Sequence, residues 1–164
     1  MLYFAYGSNM SLPRLKARVS SAVSIGHAMV LGHQLAFHKI GRDGSGKCDL
    51  VPTGIESDLV HGVLFQFDRK QKALLDQAED LGRGYAEIQL DVLTNGERVT
   101  AHSYQAIPKE PSLLPFDWYL EHLLFGAEAA ELPLVYRCWL QQVEFIKDID
   151  QRRANRERAV YQLD

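Results

Sequence analysis

Two short stretches of this sequence carry the residue types that chemistry needs. The first is Tyr6-Gly7-Ser8-Asn9, set between the apolar run Leu2-Tyr3-Phe4-Ala5 and the helix-start pattern Ser11-Leu12-Pro13. Strand, tight turn and helix are expected in that order. Glycine lets the backbone turn sharply, and the amides of the turn and of the helix N-terminus then face a small anion such as a carboxylate. The second is Glu79, close to the end of a helix predicted over residues 69–80. Leu74, Leu75, Ala78 and Leu81 form its apolar stripe, Lys72, Asp76 and Asp80 its solvated one, and Glu79 falls between them, one turn beyond Leu75. Partial burial and the negative end of the helix dipole both disfavour a charged carboxylate there, which suits a group that exchanges protons near neutrality. The competing reading of Glu79 is an ordinary surface glutamate.

The surrounding pattern says what must hold these residues. Residues 1–6 are apolar on both faces, as in a strand inside a sheet. Ser11 is the expected N-cap of a short amphipathic helix with Pro13 in its first turn and Leu12, Leu15 and Val19 on one face. Residues 30–40 suggest a strand, residues 41–58 a polar, glycine-rich loop, and residues 61–67 another strand. Asp68 then caps the Glu79 helix, with Gln71 three residues on as in a capping box. The pair Asn95-Gly96 between two alternating runs predicts a type I′ hairpin over residues 85–107, with Thr94 opposite Glu97 and Glu87 opposite Tyr104. Ile88, Leu90, Val92, Val99 and Ala101 share its core face. Tyr85, Glu87, Gln89, His102 and Tyr104 share the polar one, where the two tyrosines either line a pocket or sit half-exposed in a sheet. Residues 119–130 read as a helix, residues 133–143 as a helix or strand, and residues 148–164 as a charged tail or surface helix.

Other chemistries find little support. The segment Gly41-Arg42-Asp43-Gly44-Ser45-Gly46-Lys47 has phosphate-loop spacing, but Cys48 stands where the magnesium-binding hydroxyl belongs and no helix opens after it, so a flexible loop or lid is preferred. Ser8 lacks a nucleophile-elbow context, and the six histidines form no compact metal-ligand pair, so no metal is expected. Arg152, Arg153, Arg156 and Arg158 read as a solvated helix face paired with Glu157. The length of 164 residues suits one globular domain, and a net charge of −3 gives no attraction for nucleic acid. Cys48 and Cys138 are read as reduced thiols, although one long-range disulfide stays open. Without a signal peptide or an apolar run of membrane-spanning length, a cytoplasmic protein that does not engage a membrane is expected.

The string Tyr3-Phe4-Ala5-Tyr6-Gly7-Ser8-Asn9, the segment Leu75-Asp76-Gln77-Ala78-Glu79 and the pair Gly84-Tyr85 resemble the gamma-glutamylcyclotransferase family. Ser103-Tyr104, Tyr119 within Pro115-Phe116-Asp117-Trp118-Tyr119, Gly126-Ala127 and Leu132-Pro133 follow in the family's order, so the likeness spans most of the chain. The resemblance implies an α+β fold, a small mixed β-barrel with flanking helices. It also implies a cofactor-independent enzyme that cyclises a γ-glutamyl amino acid, peptide or amine to 5-oxoproline. Glu79 would be the general acid/base, and Tyr3, Phe4, Ala5, Tyr6, Gly7, Ser8, Asn9, Tyr85, Tyr104 and Tyr119 the substrate-binding residues. The amides of residues 6–9 would hold the substrate α-carboxylate or the developing oxyanion. The implied partner is a small-molecule γ-glutamyl substrate, with a homodimer left open. The alternative is an inactive small-molecule-binding or protein-interaction module on the same fold.

Overall fold

The computed structural model describes residues 1–161. Seven strands run in chain order: β1 Leu2–Ala5, β2 Val23–Leu31, β3 His33–Ile40, β4 Gly46–Pro52, β5 Leu59–Gln66, β6 Tyr85–Thr94 and β7 Glu97–Ala106. Five of them close a mixed barrel in the order β1-β5-β2-β6-β7, and β3 and β4 form a two-stranded sheet. β1 lies between an antiparallel β5, with Phe4 facing Leu64, and a parallel β7, with Tyr3 facing His102. That enclosure is why its side chains are apolar on both faces. Phe4, Leu64 and Phe65 are fully buried in the core, and Leu15, Leu75 and Leu123 join it from the helices α1 (Leu12–Lys16), α2 (Lys72–Ala78) and α3 (Asp117–Ala129). Helices α4 (Leu134–Gln141) and α5 (Gln151–Arg158) complete the flank. Among the described residues no helix is long and apolar enough to cross a membrane.

The hairpin has the expected register, Thr94 opposite Glu97 and Glu87 opposite Tyr104. Asn95 and Gly96 take φ of 49° and 81°, the pair of positive angles that a type I′ turn needs. Of the two readings of its second face, the structure takes the pocket: Tyr85 and Tyr104 are buried and line a cleft. Ser11 caps α1, its Oγ accepting the Arg14 amide. Asp68 accepts the Lys70 amide at 3.0 Å, but the Gln71 side chain turns away from the capping box and accepts from the amide and hydroxyl of Ser21 at 3.0 and 2.7 Å.

Two stretches differ more. The strand expected over residues 30–40 is two strands that meet at Gly32, whose φ of 69° a side chain rarely adopts. The polar loop expected over residues 41–58 contains β4. Its polar residues are paired inside the fold: buried Asp49 takes His38 Nε2 and Lys109 Nζ at 2.8 Å each and the Ala106 amide at 2.8 Å. Polarity there marks a satisfied interior network rather than a solvated loop.

The tail is also tied down. Asp150 caps α5 by accepting the Arg153 amide at 3.0 Å. The arginines are not a free face paired with Glu157: Arg153 pairs with Asp148, and Arg158 with Glu121 and Asp117. Glu157 instead takes Arg14 of α1 at 2.6 Å. Residues 162–164 of the expected tail lie outside the described residues.

Candidate active site

Where β1 ends, the chain makes a single 3-10 turn over Ser8–Met10, with the Met10 amide donating to Gly7 O at 2.9 Å, before α1 begins. Among the described residues the amides of Gly7, Ser8 and Asn9 donate to no protein acceptor, and all three residues line a cleft of about 540 Å³. Gly7 has φ of −119°, so conformational freedom is not what demands glycine there. Space is: a Cβ at Gly7 would lie 3.0 Å from Cys48 Cβ and 3.2 Å from Tyr119 Oη.

Glu79 is the C-cap residue of α2, and its side chain lines the same cleft. Asn9 Nδ2 donates to Glu79 Oε1 at 2.9 Å, and Arg18 Nη1 donates to the same oxygen at 2.6 Å. Arg18 also donates to Asn9 Oδ1 at 2.8 Å, and Asn9 Nδ2 reaches Tyr3 Oη at 2.9 Å. Both protein donors converge on Oε1, so Oε2 carries none among the described residues. The turn and the helix end, 70 residues apart in sequence, share one cleft.

The tyrosines form its walls. Tyr85 Oη donates to Cys48 O at 2.8 Å and Tyr119 Oη accepts the Cys48 amide at 3.0 Å, so both rings are fixed to one residue of β4. Tyr104 Oη donates to Asp76 Oδ1 at 2.7 Å, and Tyr6 Oη donates to Tyr104 O at 2.5 Å. Burial pushes the phenols of Tyr6, Tyr85, Tyr104 and Tyr119 well above their ordinary range, so they act as neutral hydrogen-bonding groups. Burial likewise pushes the Cys48 thiol up to about 12, leaving an inert filler between the two rings.

The structure brings Tyr3, Tyr6, Gly7, Ser8, Asn9, Glu79, Tyr85, Tyr104 and Tyr119 to this cleft. It does not bring Phe4 and Ala5 there. Both are buried, 0% and 1% exposed, and what they share with the site is the chain segment that carries Tyr3 and Tyr6. Sequence reasoning missed the cations Arg14, Arg18, Lys39 and Lys47. Arg14 and Arg18 lie four residues apart, a spacing that would have placed them on one helix face. Lys39 and Lys47 are cross-strand partners in the β3–β4 ladder, which the loop reading of residues 41–58 concealed. Lys47 sits over the Trp118 and Tyr119 rings, 4.9 and 4.8 Å from their centroids, and binds Asp43 at 2.9 Å. Residues 41–45 are therefore a tied turn at the rim of the cleft, closed by the Gly41 amide on Ser45 O at 2.9 Å.

A model of the AIG2-like family matches residues 59–140. The chain is 33% identical over 148 residues to the gamma-glutamylcyclotransferase of Bos taurus, covering 87% of this chain and 78% of that protein. The Homo sapiens gamma-glutamylcyclotransferase is 31% identical over the same lengths. Among solved structures, a gamma-glutamyl cyclotransferase at 25% identity superposes with a TM-score of 0.85, over 95% of this chain and 98% of that one. With this similarity extending over barrel, turn and helix end alike, the chain belongs to the gamma-glutamylcyclotransferase family.

Proposed function

We propose that the cleft folds a γ-glutamyl compound so that its α-amine attacks its own γ-carbonyl, closing the ring of 5-oxoproline and releasing the amine or amino acid. The observation that carries this reading is the meeting of Glu79 with the turn at Asn9, 2.9 Å apart. A carboxylate and a set of open amides in one cleft match the two groups on the glutamyl α-carbon, its amine and its carboxylate.

Nucleophile and electrophile belong to one molecule, so the main work is conformational. Oriented intramolecular attack lowers a barrier by roughly 7 to 11 kcal/mol. The attacking amine must be neutral, which at pH 7 costs about 1.4 kcal/mol for an α-amine of pKa about 8. Glu79 takes that proton through Oε2, while Arg18 and Asn9 hold Oε1 and fix the carboxylate's direction. The same carboxyl returns the proton to the departing nitrogen, which cannot leave as an amide anion. The amides of residues 7–9 hold the α-carboxylate, and the walls built by Tyr85, Tyr104 and Tyr119 keep the bent conformer from unfolding.

The test supplies γ-glutamyl dipeptides and γ-glutamyl amines and measures 5-oxoproline. Wild type forms it, and Glu79→Gln, which keeps the shape but not the basicity, loses about 10²- to 10⁴-fold in kcat. Equal activity of the two would remove Glu79 from the base role. Binding of these compounds without any product would instead favour an inactive module.

A further inference from the structure

The cations of the cleft are unequal. Arg14 meets Glu157 at 2.6 Å, Arg18 meets Glu79 at 2.6 Å, Arg42 meets Asp80 at 2.8 Å and Lys47 meets Asp43 at 2.9 Å. Arg153 binds Asp148 at 2.6 Å, and Arg156 is solvent-exposed at the rim. Lys39 is different. It is 7% exposed, lines the cleft, and among the described residues its ammonium has neither a hydrogen bond nor a carboxylate within ion-pair distance. Its one cationic contact is the face of Tyr85, whose ring centroid is 4.9 Å from Nζ. Glycine at position 84 leaves room beside it, since a Cβ there would come within 3.4 Å of Nζ.

An ammonium without a counter-ion on a side chain this little exposed is costly, and burial accordingly lowers the Lys39 pKa from its ordinary value, while the nearby charge of Glu79 opposes the shift. An anion arriving with the substrate would complete the site. The α-carboxylate already has the open amides of Gly7, Ser8 and Asn9. The remaining anion of a γ-glutamyl amino acid is the carboxylate of the amino acid to be released. Its carbon is two bonds from the departing nitrogen, which Glu79 must reach, and Lys39 borders the same part of the cleft as Glu79: a Cβ at Gly84 would lie 3.4 Å from Lys39 Nζ and 2.8 Å from Glu79 O.

We propose that Lys39 binds the carboxylate of the departing amino acid and so selects γ-glutamyl amino acids over γ-glutamyl amines. The inference rests on the cyclotransferase reading. Two substrates that differ only in that group separate the questions: γ-glutamylalanine and γ-glutamylethylamine, whose leaving groups are alanine and the same amine without its carboxylate. Wild type is expected to favour the alanine compound by about 10- to 100-fold in kcat/KM, the value of a charge-assisted hydrogen bond. Lys39→Met, checked for folding by circular dichroism, brings that ratio close to one, and Lys39→Arg retains most of it. A wild-type ratio near one overturns the proposal without any variant. An unchanged ratio in Lys39→Met, with both substrates losing equally, overturns it too and moves Lys39 to the glutamyl half or the oxyanion. Failure of wild type to form 5-oxoproline from either compound is the separate outcome that removes the cyclotransferase reading, and this assignment with it.

Discussion

The two ends of the β6–β7 hairpin follow one register in different surroundings. At the tip, Thr94 faces Glu97, Asn95 and Gly96 turn the chain, and Glu97 and Arg98 stand in solvent. At the root, Glu87 faces Tyr104 and Tyr85 faces Ala106, and both tyrosines are buried. The reason is a second layer. β4 supplies Cys48 O to Tyr85, and α2 supplies Asp76 to Tyr104. Alternation along a strand decides which side a residue takes, and the arrival of another element decides whether that side is wet. The cleft lies where that second layer arrives, so substitutions at the root should affect turnover and substitutions at the tip stability alone.

The largest effect is expected where the root wall meets the N-terminal turn. Gly7→Val pushes a branched side chain against Cys48 and Tyr119, costing about 1 to 3 kcal/mol of stability by overpacking and raising KM. Urea unfolding and steady-state kinetics read both, and an unaltered KM in the folded variant would break the link between turn and cleft. At the tip, Gly96→Ala forces a side chain onto φ of 81° and should cost about 1 to 2 kcal/mol while kcat/KM stays unchanged. A parallel loss of kcat/KM would erase the contrast between the ends. Tyr104→Phe removes the bond to Asp76, costing about 0.5 to 1.5 kcal/mol, and unlike the tip change it should also shift kcat/KM by a few-fold. A further contrast is set by pH beside the tip, where His27 O accepts Thr94 Oγ1 at 2.9 Å and His27 Nε2 contacts His61 Nδ1 at 2.8 Å. Burial, with the charge of His27 second, lowers the His61 pKa from 6.5 to about 4. The unfolded chain therefore takes up this proton first as pH falls, so stability declines between about pH 6.5 and 4. Thermal unfolding across that range should show a shallower decline for His61→Gln, and an identical slope would deny His61 a part in it.

Much of this was legible in the sequence, for physical reasons that differ by region. Asn95-Gly96 has few alternatives to a type I′ turn, so the register followed. Ser11 and Asp68 cap locally, and local chemistry reads well from neighbours. Residues 2–5 announced a buried strand because they lack a polar face. By contrast β4 was hidden, since Asp49 owes its burial to His38, Lys109 and the Ala106 amide, partners up to 60 residues away in sequence. Arg18 escaped notice for the same reason: its role exists only because α2 delivers Glu79 beside it. Phe4 and Ala5 lie outside the cleft lining although Tyr3 and Tyr6 on either side of them belong to it, a separation that a motif read as a block does not show.

Arg14 binds Glu157 across 143 positions, and the His122 that it also touches at 3.0 Å reaches Tyr161 through Nδ1. During synthesis at roughly 5 to 20 residues per second, roughly 7 to 30 seconds separate the emergence of the two partners from the ribosome. The turn at Gly7–Asn9 thus waits for α5 before its surroundings are finished. A nascent chain arrested before α5 would hold the glutamate and the amides but lack the side of their enclosure that Arg153, Arg156 and Glu157 supply.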